Sequence, residues 1–351
     1  MPSQVLITGA TGFIGRQLTR DLVALGHRVR ILARNRGKAK ALFGDSVEVI
    51  VGDLGHPESL DQACRQMEVI YHIAGIYRFG LRHRRELWRI NVEGTENLLR
   101  SAAVAGTGKI IHLSSASVLK KNTNSATKTG LLTETDFSNA SPRFSPYKFS
   151  KWHAEQRVLA WARKGLPVVI ASTTCPIGSG DETPTPTGRI IRDFLDQRFP
   201  FYCRTGLNFI GISDLSEGLQ HAAQTGLSGE RYLLCHENLW LKDFLDLLAE
   251  ETGLTAPETC LPNWMILLIG CGGEALDLLN SRRTYARVCL ETALQAEQVQ
   301  FFSNAKARNA LGWQPKASIR DTIQEAIAWF RRKTIVEVPQ HASVSMETHV
   351  Q

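Results

Sequence analysis

A tyrosine and a lysine four residues apart, Tyr147 and Lys151, are the side chains of this sequence best placed to move a proton. In a helix that spacing puts both on one face. An ammonium beside a phenol favours the phenolate and draws the tyrosine pKa down towards working pH. Tyr147 would then pass a proton to or from a carbinol or carbonyl oxygen. A serine hydroxyl would hold the same oxygen, and Ser114-Ser115-Ala116-Ser117 offers several. Taken alone, tyrosine and lysine at this spacing are common on helix surfaces. Their meaning comes from what precedes them in the chain.

The elements that must position them begin at Thr8-Gly9-Ala10-Thr11-Gly12-Phe13-Ile14-Gly15, between the apolar run Val5-Leu6-Ile7 and a stretch of helical spacing. This is strand, glycine turn, helix. Gly9 takes the angles of a tight turn, Gly12 lets a pyrophosphate approach the main chain, and Gly15 lets helix and strand pack closely. The free N–H groups and positive dipole end of the helix then face the phosphates. An ordinary βα turn shares the pattern, but this context at the start of a domain points to a dinucleotide. Strands are expected near residues 5–8, 27–33, 47–51, 68–73, 109–113 and 166–171. Helices are expected over 13–25, 57–67, 86–105 and 147–164. Such alternation predicts an α/β fold, a parallel sheet with helices on both faces, binding at the carboxyl ends of its strands. Residues 120–145 are polar and without period, an expected active-site loop.

Two residues bear on the cofactor. A carboxylate ending the second strand would bind the ribose hydroxyls of NAD; Arg34 stands there instead, followed by Asn35 and Arg36. A guanidinium pairs with a 2′-phosphate, which favours NADP(H) over NAD(H). A solvated loop arginine is the alternative. Asp53, after the third strand, either accepts a hydrogen bond from an adenine amino group or caps its loop.

The chain has 351 residues, 43% hydrophobic and 21% charged, the balance of a folded globular protein. Its net charge of +7 is partly local, in Arg34–Lys40 and in Arg78–Arg89. Either cluster suits a phosphate, an anionic substrate or an acidic membrane surface, though basic runs are usually solvated faces. The seven cysteines are scattered, without metal or redox spacing, and are read as reduced, hence a cytoplasmic protein without a leader. No metal site and no nucleic-acid motif is expected.

The ordered set of TGxxGxxG, Asp53, Ala74-Gly75, Asn91, Ser114-Ser115 and YxxxK resembles an extended short-chain dehydrogenase/reductase over residues 4 to 332. The resemblance implies a Rossmann-type doubly wound parallel sheet with a smaller C-terminal substrate-binding α/β region. The implied division is a nucleotide-binding domain at 1–174, with an active-site loop at 118–146 and the YxxxK helix at 147–164. A mainly substrate-binding region follows at 175–333, with segments returning to the sheet, then a flexible tail at 334–351. Ser115, Tyr147 and Lys151 would be the catalytic set, with Ser114 or Ser117 as alternatives for the serine. Lys151 would also hold the nicotinamide ribose. Gly9, Thr11, Gly12, Phe13, Ile14, Gly15, Arg34, Asp53, Leu54, Ala74, Gly75, Tyr147, Lys151, Pro176 and Ile177 would contact the cofactor. Tyr77, Arg78, Ser117 and Arg189 would meet the substrate. A homodimer through the Asn91 and Tyr147 helices is implied as well.

The second half narrows the likeness. Cys175-Pro176-Ile177-Gly178, Thr205-Gly206-Leu207-Asn208-Phe209 and Leu311-Gly312-Trp313-Gln314-Pro315 resemble the branch called hopanoid-associated sugar epimerases, close to dihydroflavonol-reductase-like proteins. Three chemistries compete: a reductase or dehydrogenase moving one hydride, a sugar epimerase keeping its nucleotide, and a non-catalytic NADP-binding protein. Sugar dehydratases carry Asp-Glu where this chain has Ala116 and Ser117. Nucleotide-sugar epimerases carry Arg-Asp before Phe-Ile-His where it has Leu207-Asn208 before Phe209-Ile210-Gly211. These departures favour the reductase, with Arg231, Arg189 or Arg78 as substitutes for a diphosphate grip. Leu261–Leu279 shows Trp264, Leu267, Leu268, Cys271, Ala275, Leu278 and Leu279 at helical spacing. A core helix is the plain expectation; a lid or a membrane-skimming helix over an apolar, isoprenoid-like small-molecule substrate is the other.

Overall fold

The protein is described from a computed structural model covering residues 3–119, 130–137, 145–279, 289–296 and 298–337, with side chains as far as 332. Most of the loop expected at 118–146, and the tail beyond 337, lie outside the described residues.

The first half alternates as its hydrophobic pattern demands: β1 (Gln4–Thr8), α1 (Phe13–Ala24), β2 (Arg28–Ala33), α2 (Arg36–Phe43), β3 (Glu48–Val51), α3 (Pro57–Cys64) and β4 (Val69–His72). A short 3-10 turn, Leu81–His83, leads into α4 (Arg84–Leu87), a π-helical stretch Trp88–Glu93 and α5 (Gly94–Ala105). Then come β5 (Lys109–Ser115), α6 (Pro146–Arg163) and β6 (Val168–Thr173). The sequence reading passed over α2, whose N-terminus is capped by Asn35 accepting from the Lys38 N–H at 2.9 Å. The helix expected over 86–105 is present but interrupted by the π turn, a feature that collects at functional sites.

The second half contributes β7 (Cys175–Ile177), α7 (Pro186–Leu195), β8 (Tyr202–Cys203), β9 (Gly206–Gly211), α8 (Ile212–Thr225), β10 (Arg231–Leu234), β11 (Glu237–Trp240), α9 (Leu241–Thr252), β12 (Cys260–Leu261), α10 (Asn263–Leu279), α11 (Leu290–Ala296), α12 (Ala305–Leu311) and α13 (Ile319–Glu337). Helix α13 runs through residues 334–337, which were assigned to the tail.

Seven parallel strands make the main sheet, in the order β10-β6-β5-β4-β1-β2-β3. It is Rossmann-like. The strand order reverses between β1 and β4, which opens a crevice at their carboxyl ends. Strand pleating sends alternate side chains to two cores. Val5, Ile7, Ile31 and Ile111 pack with Leu18, Leu215 and Trp313 on one side; Leu6, Ile70, Ile110 and Val168 pack with Leu98, Leu99 and Val158 on the other. A third core joins Phe209, Phe244, Ile323 and Phe330 around the small sheet β11-β9-β7.

Candidate active site

The glycine turn forms a tightly closed corner. Gly9 has φ +78°, and a Cβ there would fall 2.6 Å from the Ala74 amide nitrogen. A Cβ on Gly15 would stand 2.2 Å from the Gly9 carbonyl oxygen, so β1 and α1 touch through bare backbone. Gly12 is different: it is exposed and caps α1 with extended backbone. A Cβ there would have only the Gly9 oxygen nearby, at 3.3 Å. Thr11, Phe13 and Ile14 are half-buried around it. Two glycines therefore serve packing and the third keeps the helix N-terminus open, the cradle a pyrophosphate needs.

Beyond β2, Arg34 is exposed and no carboxylate occurs between it and Lys40. Asp53 closes its own turn, its Oδ1 accepting the Gly55 N–H at 2.8 Å. Leu54 is buried in the second core and sets the approach of Gly94. Ala74 donates its N–H to Thr8 Oγ1 at 3.3 Å. Asn91, held in the π turn, fixes the Gly75-Ile76 backbone: its Oδ1 accepts the Ile76 N–H at 2.7 Å, and its Nδ2 donates to Ile76 O and to Ser150 Oγ. Pro176 and Ile177 are buried in β7.

Helix α6 carries the candidate residues Tyr147 and Lys151. Pro146 occupies its first turn, where the missing N–H costs nothing. Tyr147, Lys151 and Glu155 follow at steps of four, one stripe turned towards β5. The two serines of β5 separate at the strand end. Ser114 Oγ donates to Glu155 Oε2 at 2.7 Å, whereas Ser115 is hydrogen-bonded to Tyr147 and to Ser117 Oγ at 2.8 Å. Ser114 is thereby spoken for, and Ser115, with Ser117 beside it, is the hydroxyl that meets the phenol.

Spacing alone suggested that Lys151 lowers the Tyr147 pKa, and the structure corrects this. Burial pushes Tyr147 well above the usual phenol range, the Ser115 hydrogen bond acts the other way, and the Glu291 and Cys175 charges add to the rise. The Lys151 amine donates to Leu113 O at 2.8 Å, and burial draws its pKa down to about 8 against the pull of Glu155. The resident form of Tyr147 is thus the neutral phenol, a proton donor. Lys151 Nζ also stands 3.8 Å from where a Gly75 Cβ would lie, on the nucleotide side of the site.

Aromatic rings wall the phenol. Tyr77 lies 4.7 Å and Phe79 5.7 Å from the Tyr147 ring, centroid to centroid. Arg78 pairs with Glu86 at 3.3 Å, and Arg189 stands exposed on α7, donating to Pro184 O. Of the substrate candidates, Tyr77 therefore stands beside Tyr147 and Ser117 beside Ser115.

Sequence reasoning missed Glu291. This carboxylate, 1% exposed, comes from α11 and accepts the Tyr147 N–H at 3.1 Å, the Lys148 N–H and the Gly80 N–H at 3.3 Å. It caps a helix whose N-cap Ser145 supplies no side-chain bond. Burial raises its pKa to about 7 although three N–H donors pull it down. It fixes the start of α6 against the loop that carries Tyr77 and Phe79. Arg231 was read as a substitute diphosphate grip. It is instead half-buried and paired with the fully buried Glu155, with its guanidinium 4.2 Å over Phe137.

The family model described as "NAD dependent epimerase/dehydratase family" matches residues 5–235. The Synechocystis sp. protein called "Putative dihydroflavonol 4-reductase" is 33% identical, over 94% of this chain and 95% of that one. "Sterol demethylase protein B" of Methylococcus capsulatus is 30% identical, over 94% and 99%. Among solved structures, that of gox2253 superposes with a TM-score of 0.80 at 34% identity, covering 94% of this chain and 98% of that one.

Proposed function

Since this chain belongs to the NAD dependent epimerase/dehydratase family and is an NAD(P)-dependent enzyme of the extended short-chain dehydrogenase/reductase type, we propose that it is an NADP(H)-dependent reductase of an apolar, ring-containing carbonyl compound. The observation that carries this is the meeting of a neutral, Ser115-bonded Tyr147 phenol with aromatic walls beside the glycine cradle. The nicotinamide, when bound, supplies the hydride. Everything else falls to the chain. Gly12 and the first turn of α1 hold the pyrophosphate, Arg34 a 2′-phosphate, and Lys151 the ribose. Ser115 donates to or accepts from the substrate oxygen, and Tyr147 gives its proton as negative charge develops there. Tyr77 and Phe79 exclude water and stack on the substrate's rings. The names of two relatives, a dihydroflavonol reductase and a sterol demethylase protein, favour the same substrate class.

The sugar-epimerase reading, with NAD(P) kept bound through turnover, is the family's other chemistry. Leu207, where nucleotide-sugar epimerases carry arginine, packs against the third core, and Asn208 beside it is 1% exposed and committed to Thr174, His236 and Asn238. With no guanidinium at that position and Arg231, one of the substitutes weighed for a diphosphate, engaged by Glu155, the reductase is favoured. The intact Ser115–Tyr147 pair speaks against a purely nucleotide-binding role. The same reading takes the α5–α6 surface as a homodimer contact.

The cofactor part is tested by tryptophan-quenching titration with NADPH and NADH. The wild type should prefer NADPH at least about tenfold, the size of one charge-assisted phosphate contact. Arg34→Asp should abolish or reverse that preference. Tight NADH binding, or NAD that copurifies without exchanging, would place the epimerase first.

The pH dependence follows from Lys151. An amine carries its proton below its pKa, so the ammonium is present below about 8 and lost above it. Carbonyl reduction should fall on the alkaline side of about pH 8, checked by a pH profile of kcat/KM. A profile flat to pH 10 would show that the Lys151 charge has no part in turnover.

A further inference from the structure

Helix α10 turns its acids inward. Glu274 and Asp277 are 5% and 9% exposed, whereas Trp264, Leu268, Leu276, Leu278 and Leu279 are 60% to 85% exposed. A surface helix ordinarily does the reverse, so the expectation of a core helix over Leu261–Leu279 is overturned for its apolar stripe. Polar bonding selects the inward face. Glu274 accepts the Leu81 N–H at 2.6 Å and the Leu290 N–H at 3.3 Å, and Asp277 faces Arg82 at 3.7 Å. Helix α11 packs close beside it, since a Cβ on Gly270 would lie 2.5 Å from Ala293 Cβ. From there α11 brings Glu291 to the same stretch of chain.

That stretch, residues 73–80, is neither helix nor strand, and it carries Tyr77 and Phe79. It is tied on both sides of the two rings. Before them, Asn91 accepts the Ile76 N–H and donates to the Ile76 C=O. After them, Gly80, at φ +104°, gives its N–H to Glu291 Oε2 at 3.3 Å, and Leu81 gives its own to Glu274. Between the ties the rings meet edge-on at 5.2 Å, and both pack on the Tyr147 ring. The other oxygen of Glu291 accepts the Tyr147 N–H at 3.1 Å. One carboxylate therefore bridges the backbone of Tyr147 and the loop that walls its phenol, with a different oxygen on each.

We propose that Glu291 is a positioning residue that determines specificity: by holding Gly80 and Tyr147 on one carboxylate, it keeps the Tyr77 and Phe79 rings in place for a ring-containing substrate and so selects it over an acyclic one. A wall ordered before the substrate arrives spares binding the cost of ordering it. The bonding says which group the task needs. A carboxylate accepts with both oxygens, whereas an amide accepts with one and presents an NH2 to the other N–H. The loop is the side that yields, because Tyr147 lies in the first turn of an 18-residue helix anchored in the second core through Val158. The ring preference rests on the reductase reading; the bridge itself does not.

Glu291→Gln keeps the size of the side chain and removes one acceptor. Hydrogen–deuterium exchange of the full chain should then show protection of the Tyr77–Leu81 stretch lower by at least about fivefold, the order of one lost charged hydrogen bond, with α5 and the body of α6 unchanged. With a sterol 3-ketone as probe, KM should rise at least about fivefold and kcat stay within about twofold; with a long-chain methyl ketone, KM should stay within about twofold. In a Tyr77→Leu, Phe79→Leu background the KM effect of Glu291→Gln should shrink to within about twofold, because the wall it positions is gone. Glu291→Asp keeps the charge and both oxygens on a shorter stem. It should show a smaller shift of the same kind, and it carries the test if the glutamine variant does not fold. Unchanged exchange in the Tyr77–Leu81 stretch, an equal rise in KM for both ketones, or additivity with the wall variants overturns the proposal. A wild type that reduces neither ketone, with the exchange change present, supports the bridge and counts against the reductase reading.

Discussion

Tyr147→Phe should lower kcat/KM by about a hundredfold to ten-thousandfold while leaving fold and nucleotide affinity unchanged. The substitution removes one hydroxyl and nothing else of substance. The phenyl ring keeps its contacts with Tyr77 at 4.7 Å and Phe79 at 5.7 Å, and the Tyr147 N–H still reaches Glu291. What disappears is the proton that burial keeps on the phenol and the hydrogen bond that Ser115 makes to it. Steady-state kinetics, thermal melting and tryptophan quenching by NADPH separate these effects. A phenylalanine variant within about threefold of wild type would remove Tyr147 from the acid role. One that no longer binds nucleotide would make it a structural residue.

Arg231→Met should cost about 3–5 kcal/mol of stability, the penalty for leaving a buried carboxylate without its cation. Glu155 is fully buried, and the pair is covered by Phe137 on one side and by the Glu134 carbonyl, which accepts from Arg231 at 3.0 Å. In a chain of this size the loss corresponds to a melting temperature lower by about 4–7 °C. Replacing both partners, Arg231→Met with Glu155→Leu, should recover most of it, because no orphan charge then remains. Ser114 loses its acceptor in the double variant, so recovery of stability need not restore the active site. If the single and double variants melt alike, the pair does not carry the assigned energy. Glu155 lies one helical turn beyond Lys151 and supports its charge, so this pair couples the outermost strand β10 to α6.

Much of this was legible in the chain. Alternating apolar runs gave six strands of the main sheet to within a few residues, and the glycine turn marked its own strand and helix. The choice among Ser114, Ser115 and Ser117 was not legible, because it depends on where Glu155 and Tyr147 fall around the end of β5. The Tyr147 pKa ran against expectation for a related reason. A spacing of four reports that Lys151 shares a face with Tyr147, but not that its amine turns to Leu113 O or that burial dominates the phenol. Glu291 lies 144 residues from Tyr147, and no local pattern announces such a contact. The π turn at Trp88–Glu93 is invisible to a 3.6-residue period. In α10 the apolar stripe was correctly seen and its direction was not. Glu274 and Asp277, three apart on the opposite face of the same helix, were the available signal, since acids in an apolar helix need partners.

The proposed reaction is net hydride transfer to an apolar carbonyl. It is tested most directly by supplying NADPH deuterated at the transferring carbon to the wild-type enzyme with a panel of ring-containing ketones, sterol 3-ketones among them, and analysing products by mass spectrometry. The predicted result is one deuterium in a carbinol product for each NADPH oxidised, absent with Tyr147→Phe. An epimerised sugar substrate, with no net NADPH oxidation and no deuterium gained, would contradict it.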